Sequence, residues 1–172
     1  ALQARGDEAG AAELQAKLAQ IDQSIADVDY RAANVRAGYV YVISNIGAFG
    51  DSVVKIGMTR RLEPMDRVRE LGDASVPFTF DVHALFFSDD AVSIEAMLHR
   101  EFATQRLNKV NPRREFFRAR PQEVLDALTE HKVSLLEFTT HAAADDYRMS
   151  WPTGYPSLGD DDVLNEMGPA AV

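Results

Sequence analysis

The chain has 172 residues, enough for one domain of ordinary size plus appendages. Its 46% hydrophobic and 26% charged residues are those of a folded globular protein, and the absence of cysteine excludes a disulfide scaffold, a thiolate zinc site and a cysteine nucleophile. The formal net charge of −9, taken whole, argues against a nucleic-acid binder.

Residues 11 to 36 read as one helix. Leu14, Leu18, Ile21, Ile25, Val28, Ala32 and Val35 alternate spacings of four and three, a heptad stripe with no Gly or Pro between Ala11 and Ala37. Such a helix either pairs with another helix, a second copy of itself included, or lies on the main domain. The chain opens on Ala rather than Met and is helical in character from the start, as expected of a piece of a longer protein.

At Gly38 the pattern changes. Tyr39–Ile43 is a β-rich run ended by Ser44-Asn45, residues 47–51 read as a hairpin loop, and Val53–Gly57 is a second strand that should pair antiparallel with the first. Pro64 suits the first position of a helix, Met65, Val68 and Leu71 form its apolar face, and Gly72 is placed to end it. Phe78–Phe87 is a third strand. Asp89 or Asp90 can cap a helix from Ala91 to Gln105 that buries Ile94, Met97, Leu98 and Phe102. Asn111-Pro112 marks a loop, Glu115–Arg118 a short extended piece, and Pro121 opens a last helix carrying Val124, Leu125 and Leu128. Beyond about Thr140, Pro152, Gly154, Pro156, Gly159 and Asp160–Asp162 mark a loop-like tail, poorly ordered or loosely docked. No apolar run approaches the 18 or so residues of a membrane span.

The fold class that follows is α+β: a small three-stranded antiparallel sheet flanked by helices and preceded by a long helix. The expected divisions are 1–37 for the helix, 38–140 for the domain and 141–172 for an acidic tail.

The charge is unevenly spread. Residues 38–118 hold 11 basic and 11 acidic side chains, so the whole excess of acid lies in the flanks. Residues 106–120 carry six basic side chains against Glu115 alone, the footprint expected of a phosphate-binding surface or of a solvated basic face.

Gly38-Tyr39-Val40-Tyr41-Val42-Ile43, followed by Lys55-Ile56-Gly57-Met58-Thr59, resembles the paired signatures of the GIY-YIG endonucleases. Tyr39-Val40-Tyr41 stands where that family has Gly-Ile-Tyr, and Lys55-Ile56-Gly57 where it has Tyr-Ile-Gly. Arg67 follows on the next helix, Glu95 on the one after it, and Asn111 in the loop beyond. Leu98–Phe102, Arg106-Leu107-Asn108 and Arg114–Phe117 are similar to the phage-type branch of that superfamily, which can follow a helical domain in bacterial anti-phage defence proteins. The resemblance covers residues 38–120 and departs from the family at Lys55, where most members have Tyr.

What the resemblance implies is a metal-dependent DNA endonuclease, a hydrolase of phosphodiester bonds active against phage DNA with weak sequence specificity. The alternative is an inactive DNA-binding or assembly module of the same fold. Phosphodiester hydrolysis needs a base for water, a cation for the developing charge and a metal or acid for the leaving oxygen. Tyr41 is the candidate base, its pKa expected to be lowered by Lys55 on the neighbouring strand. Arg67 is the candidate phosphate clamp. Glu95 is the candidate ligand for Mg²⁺, or Mn²⁺ in its place, in a single-metal mechanism, since no second carboxylate stands near it in the sequence pattern. His99, four residues on, shares its helix face. Tyr39 and Asn111 complete the catalytic candidates, and Arg60, Arg61, Arg69, Lys109, Arg113 and Arg114 are the candidate DNA contacts. Each has a structural alternative: core tyrosines at Tyr39 and Tyr41, a solvent-facing Lys55, a helix pair of Arg67 with Glu63 or Glu70, a turn at Asn111. His83, inside an apolar strand, reads as a core histidine. The expected setting is the cytoplasm, or the cytoplasmic side of the inner membrane if a part of the parent not present here carries an anchor.

Overall fold

A computed structural model describes residues 2–73, 76–135 and 137–155, except for the side chains of residues 2–9, 31 and 32. The chain runs α1 (Leu2–Ala33), β1 (Gly38–Ser44), α2 (Ile46–Phe49), β2 (Val54–Thr59), α3 (Pro64–Asp73), β3 (Asp81–Ser88), α4 (Ala91–Glu101), a 3₁₀ turn (Ala103–Gln105), β4 (Phe116–Phe117), α5 (Pro121–Glu130) and α6 (Asp145–Ser150). The fold is α+β, with a four-stranded sheet in the order β3-β1-β2-β4 and every pairing antiparallel. The expected three strands gain a fourth, β4, because the short extended piece at residues 115–118 pairs with the outer edge of β2.

Alternation along β1 gives the sheet two apolar faces. Val40 and Val42 join Val54, Ile56, Ala84 and Phe117 in a core closed by Leu98 and Phe102 at α4 and by Val124 and Leu128 of α5. Tyr41 and Ile43 face the other way, against Val68 and Met65 of α3. The sheet is thus the middle of three layers. Pro64 does begin α3, which continues one residue past Gly72. Asp90 rather than Asp89 caps α4, its carboxylate accepting from Ser93 N–H at 3.1 Å.

The segment between β1 and β2 is not a bare loop. Asn45 caps the single turn of α2 by accepting from Ala48 N–H at 3.1 Å, and its amide donates to the Phe78 carbonyl at 2.5 Å. His83 is the extra residue where the β1–β3 register shifts. Its Nδ1–H donates to the Thr139 carbonyl at 2.6 Å, and its Nε2 accepts from Ser44 Oγ at 2.8 Å. Burial lowers its pKa, so the ring is a neutral core histidine, as expected.

Past Thr140 the chain is docked as far as it is described. Tyr147 packs edge-on against Phe78, and Tyr155 Oη donates to the Gly47 carbonyl at 2.9 Å. Trp151 stacks at a tilt on Tyr155. The residues from 156 onward, including Pro156 and the acidic run, lie outside the described residues.

The C-terminal end of α1 is fastened to the start of α4. Tyr30 Oη donates to Asp89 at 2.8 Å, and Arg36 Nε donates to Asp90 at 2.9 Å. Among the described residues no helix is long and apolar enough to cross a membrane.

Candidate active site

β4 is two residues long and covers β2 only at Val54 and Lys55. Past it, the edge of β2 would leave backbone groups unpaired, and the residue before β4 together with two side chains of α4 caps them. Ile56 N–H donates to the Glu115 carbonyl at 3.2 Å, and the Ile56 carbonyl accepts from His99 Nε2 at 2.9 Å. One turn earlier on α4, the Glu95 carboxylate accepts from Met58 N–H. Side chains that start in the α4 layer therefore reach the sheet edge.

The opposite face of the sheet supplies the other groups. Tyr41 is paired across the strands with Gly57. A Cβ on Gly57 would lie 2.5 Å from Tyr41 Oη, so the phenol lies over this residue only because it has no side chain. Arg67 of α3 hydrogen-bonds the phenol and also reaches Glu70 Oε2 at 3.5 Å. It thus makes the helix pair with Glu70 that its sequence position allowed, and a contact with Tyr41 besides. Lys55 is buried, with Nζ 2.7 Å from Glu115 Oε2 and 5.9 Å from the centre of the Tyr41 ring.

These placements set Lys55, Arg67, Glu95 and Glu115 around the Tyr41 side chain. Burial pushes the Tyr41 phenol up to about 12; the charges of Glu115 and Glu95 push the same way, against Arg67. Burial raises the Glu95 carboxyl as well; Glu115 adds to the rise, and Met58 N–H and Lys55 oppose it.

Two expectations are corrected here. The phenol's pKa is raised rather than lowered, because burial first and then the charge of Glu115, which stands at contact distance from Lys55, outweigh Arg67. Nor is Glu95 alone, since Glu115 is a second carboxylate near enough to perturb it.

His99 spends one ring nitrogen on the β2 edge, and its ring packs at 5.1 Å from that of Phe117. Burial lowers its pKa, which leaves the neutral Nδ1 for any ligand. Tyr39 shares the face of Tyr41 and meets Phe87 edge-on at 5.4 Å. Asn111 shapes its own loop, accepting from Arg113 N–H at 3.0 Å. Its role as a turn residue is therefore realised.

The basic candidates form two groups. Arg60, Arg61 and Arg69 are exposed around the start and middle of α3, with Arg61 bonded to Glu70 and Arg69 to Asp66 at 2.7 Å. Lys109, Arg113 and Arg114 lie on the exposed loop before β4. Arg106 braces that loop by donating to the Pro112 carbonyl at 2.8 Å while its guanidinium lies over the Phe117 ring at 4.8 Å.

Residues 38–132 match the T5orf172 domain. The chain belongs to the T5orf172 domain family. The T5orf172 domain is a phage-associated, endonuclease-type domain. Its match begins with the first residue of β1 and ends just past α5, so it takes in every residue of the cluster and leaves α1 and the docked tail outside. No curated protein and no solved structure matches the chain.

Within the T5orf172 domain, sequence reasoning missed Glu115. The signal was present as the one acid in a basic stretch, but only the β2–β4 pairing carries it to Lys55. Among the described residues, no three His, Asp or Glu side chains are grouped to hold a metal ion. A closed zinc cage is not the chemistry on offer. The oxygen donors present, Glu95 with Glu115 beside it, fit a hard cation that keeps most of its waters, as Mg²⁺ does.

Proposed function

We propose that the chain is a Mg²⁺-dependent DNA endonuclease of the GIY-YIG kind, acting in bacterial defence against phage. The observation that carries this reading is the convergence of a phenol, a guanidinium and two carboxylates at the open edge of β2.

Arg67 binds the scissile phosphate through its planar guanidinium, which matches two phosphate oxygens and opposes the charge that grows in the transition state. Tyr41 is protonated in the free protein and is held in place by Arg67 and by the missing side chain at Gly57. It orients the attacking water and, once its own proton has passed to solvent, takes up the proton of that water as a phenolate while the phosphate is attacked. Lys55 fixes Glu115, and the pair forms a polar wall beside the phenol. His99 and Met58 N–H set the height of Glu95 against the sheet edge. Glu95 would hold the cation, which would stabilise the leaving oxygen and offset the carboxylate charges that keep the phenol protonated.

The basic loop at Lys109, Arg113 and Arg114, with Arg60, Arg61 and Arg69, contacts phosphates along the duplex. Such contacts carry no base code, so cleavage is weakly sequence-specific and binding is strongly salt-dependent.

The test is cleavage of plasmid and linear phage DNA by the chain with Mg²⁺, with EDTA, and with Glu95→Ala. Metal-dependent nicking lost in the variant supports the proposal. Salt-sensitive DNA binding without cleavage in any arm would make the chain a binding module instead.

A further inference from the structure

Among the described residues, nothing covers the α1 stripe. Leu14, Leu18, Ile21, Ile25 and Val28 are between 42% and 64% exposed, although they recur with heptad spacing along one side of the helix. A 32-residue helix is about 48 Å long. Most helical stability in water comes from packing an apolar face, so a bare heptad seam on a helix of this length calls for a partner.

The flanking charges say which partner. With Leu18 and Ile25 at the a positions and Leu14, Ile21 and Val28 at d, Lys17 falls at g and Asp22 and Asp29 fall at e. In a parallel, in-register pair each g residue faces the e residue of the partner's next heptad, which sets Lys17 against Asp22 on both sides of the seam. In an antiparallel pair e faces e, which takes Asp22 away from Lys17 and sets it against an e residue of the copy such as Gln15, Asp22 or Asp29. Charge thus favours a second copy of this chain, aligned in parallel, over the reversed arrangement.

We propose that α1 is a parallel, in-register coiled coil joining two copies of the chain. Each α1 runs into its own β1 through Tyr30 and Arg36, which are tied to Asp89 and Asp90. A parallel pair therefore carries both folded domains at the same end of the coil. If the endonuclease reading holds, two active sites are delivered to one duplex; the pairing itself does not depend on that reading.

The chain lacks cysteine, so single cysteines report geometry cleanly. Leu14→Cys and Val28→Cys sit toward opposite ends of the stripe and should each form a disulfide-linked dimer of the full chain on mild oxidation. Ala16→Cys, on the outer face of the helix, should not. Sedimentation equilibrium at about 50 μM should give more than one chain mass, reduced to one by the double substitution Ile21→Asp with Ile25→Asp. A single-chain mass for the unmodified protein would overturn the proposal. Cross-linking only between mixed Leu14→Cys and Val28→Cys chains would overturn the parallel alignment. Both readouts are independent of DNA cleavage, so failure here and failure of the nuclease assay are separable.

Discussion

The hydroxyl of Tyr41 occupies the space that a side chain on Gly57 would need, 2.5 Å from where a Cβ would stand. The two residues face each other across the central strand pair. The glycine of the second motif is thereby explained as the floor on which the phenol of the first one lies.

Gly57→Ala should therefore displace the phenol. The expected cost is about 1–3 kcal/mol of stability, as for other overpacked cores. Cleavage should fall by about 100-fold, since a shift of about 1 Å in a catalytic group is enough for that. Denaturant unfolding and plasmid nicking read the two effects separately. A stable variant with full activity would mean that the phenol's position is not used.

Tyr41→Phe removes one oxygen and leaves the ring. Loss of one hydrogen bond should cost about 1 kcal/mol. If Tyr41 handles a proton, the single-turnover cleavage rate should fall about 10²–10⁴-fold while DNA affinity is unchanged. A drop in affinity with an unchanged single-turnover rate would reassign Tyr41 to substrate binding.

Glu115→Ala strands a buried ammonium at Lys55. Breaking such a pair by removing one partner is expected to cost about 3 kcal/mol, whereas replacing both by apolar groups is often close to neutral. Lys55→Met combined with Glu115→Leu should thus recover most of the stability lost by Glu115→Ala. Equilibrium urea unfolding of the two variants checks the order.

The basic loop gives a salt prediction. Arg113→Ala with Arg114→Ala should weaken DNA binding by a similar factor on unrelated sequences. The slope of log affinity against log salt should shrink by about 2 if each arginine meets one phosphate. Fluorescence anisotropy at several salt concentrations measures it, and an unchanged slope would remove this loop from the interface.

Much of this fold was legible in the sequence, for local reasons. Alternation at Tyr39–Ile43, the Pro64 start and the acid cap before Ala91 each depend on residues close in the chain. Tyr41 and Lys55 were placed on paired strands by the same logic. What was not legible depends on distant pairing. A two-residue strand at Phe116–Phe117 has no period to read, yet it decides that Glu115 reaches Lys55 and stands where its charge adds to burial in raising the phenol. The one-turn helix at Ile46–Phe49 and the docking of Tyr155 on Gly47 also rest on contacts formed only in the fold.

Glu95 carries the most direct test. Its carboxyl is raised in the folded chain by burial and by Glu115. A carboxyl whose folded pKa lies above its unfolded one contributes stability below the unfolded value, lost as pH rises through the folded one. Above the unfolded value the raised carboxyl therefore costs the fold stability, and Glu95→Gln should raise the melting temperature more at pH 7 than at pH 4. The decisive measurement is the Mg²⁺-dependent plasmid nicking rate of Glu95→Gln beside its melting temperature. The account predicts a protein at least as stable as the unmodified chain with no nicking above an EDTA control. Nicking at the unmodified rate by that stable variant would contradict it.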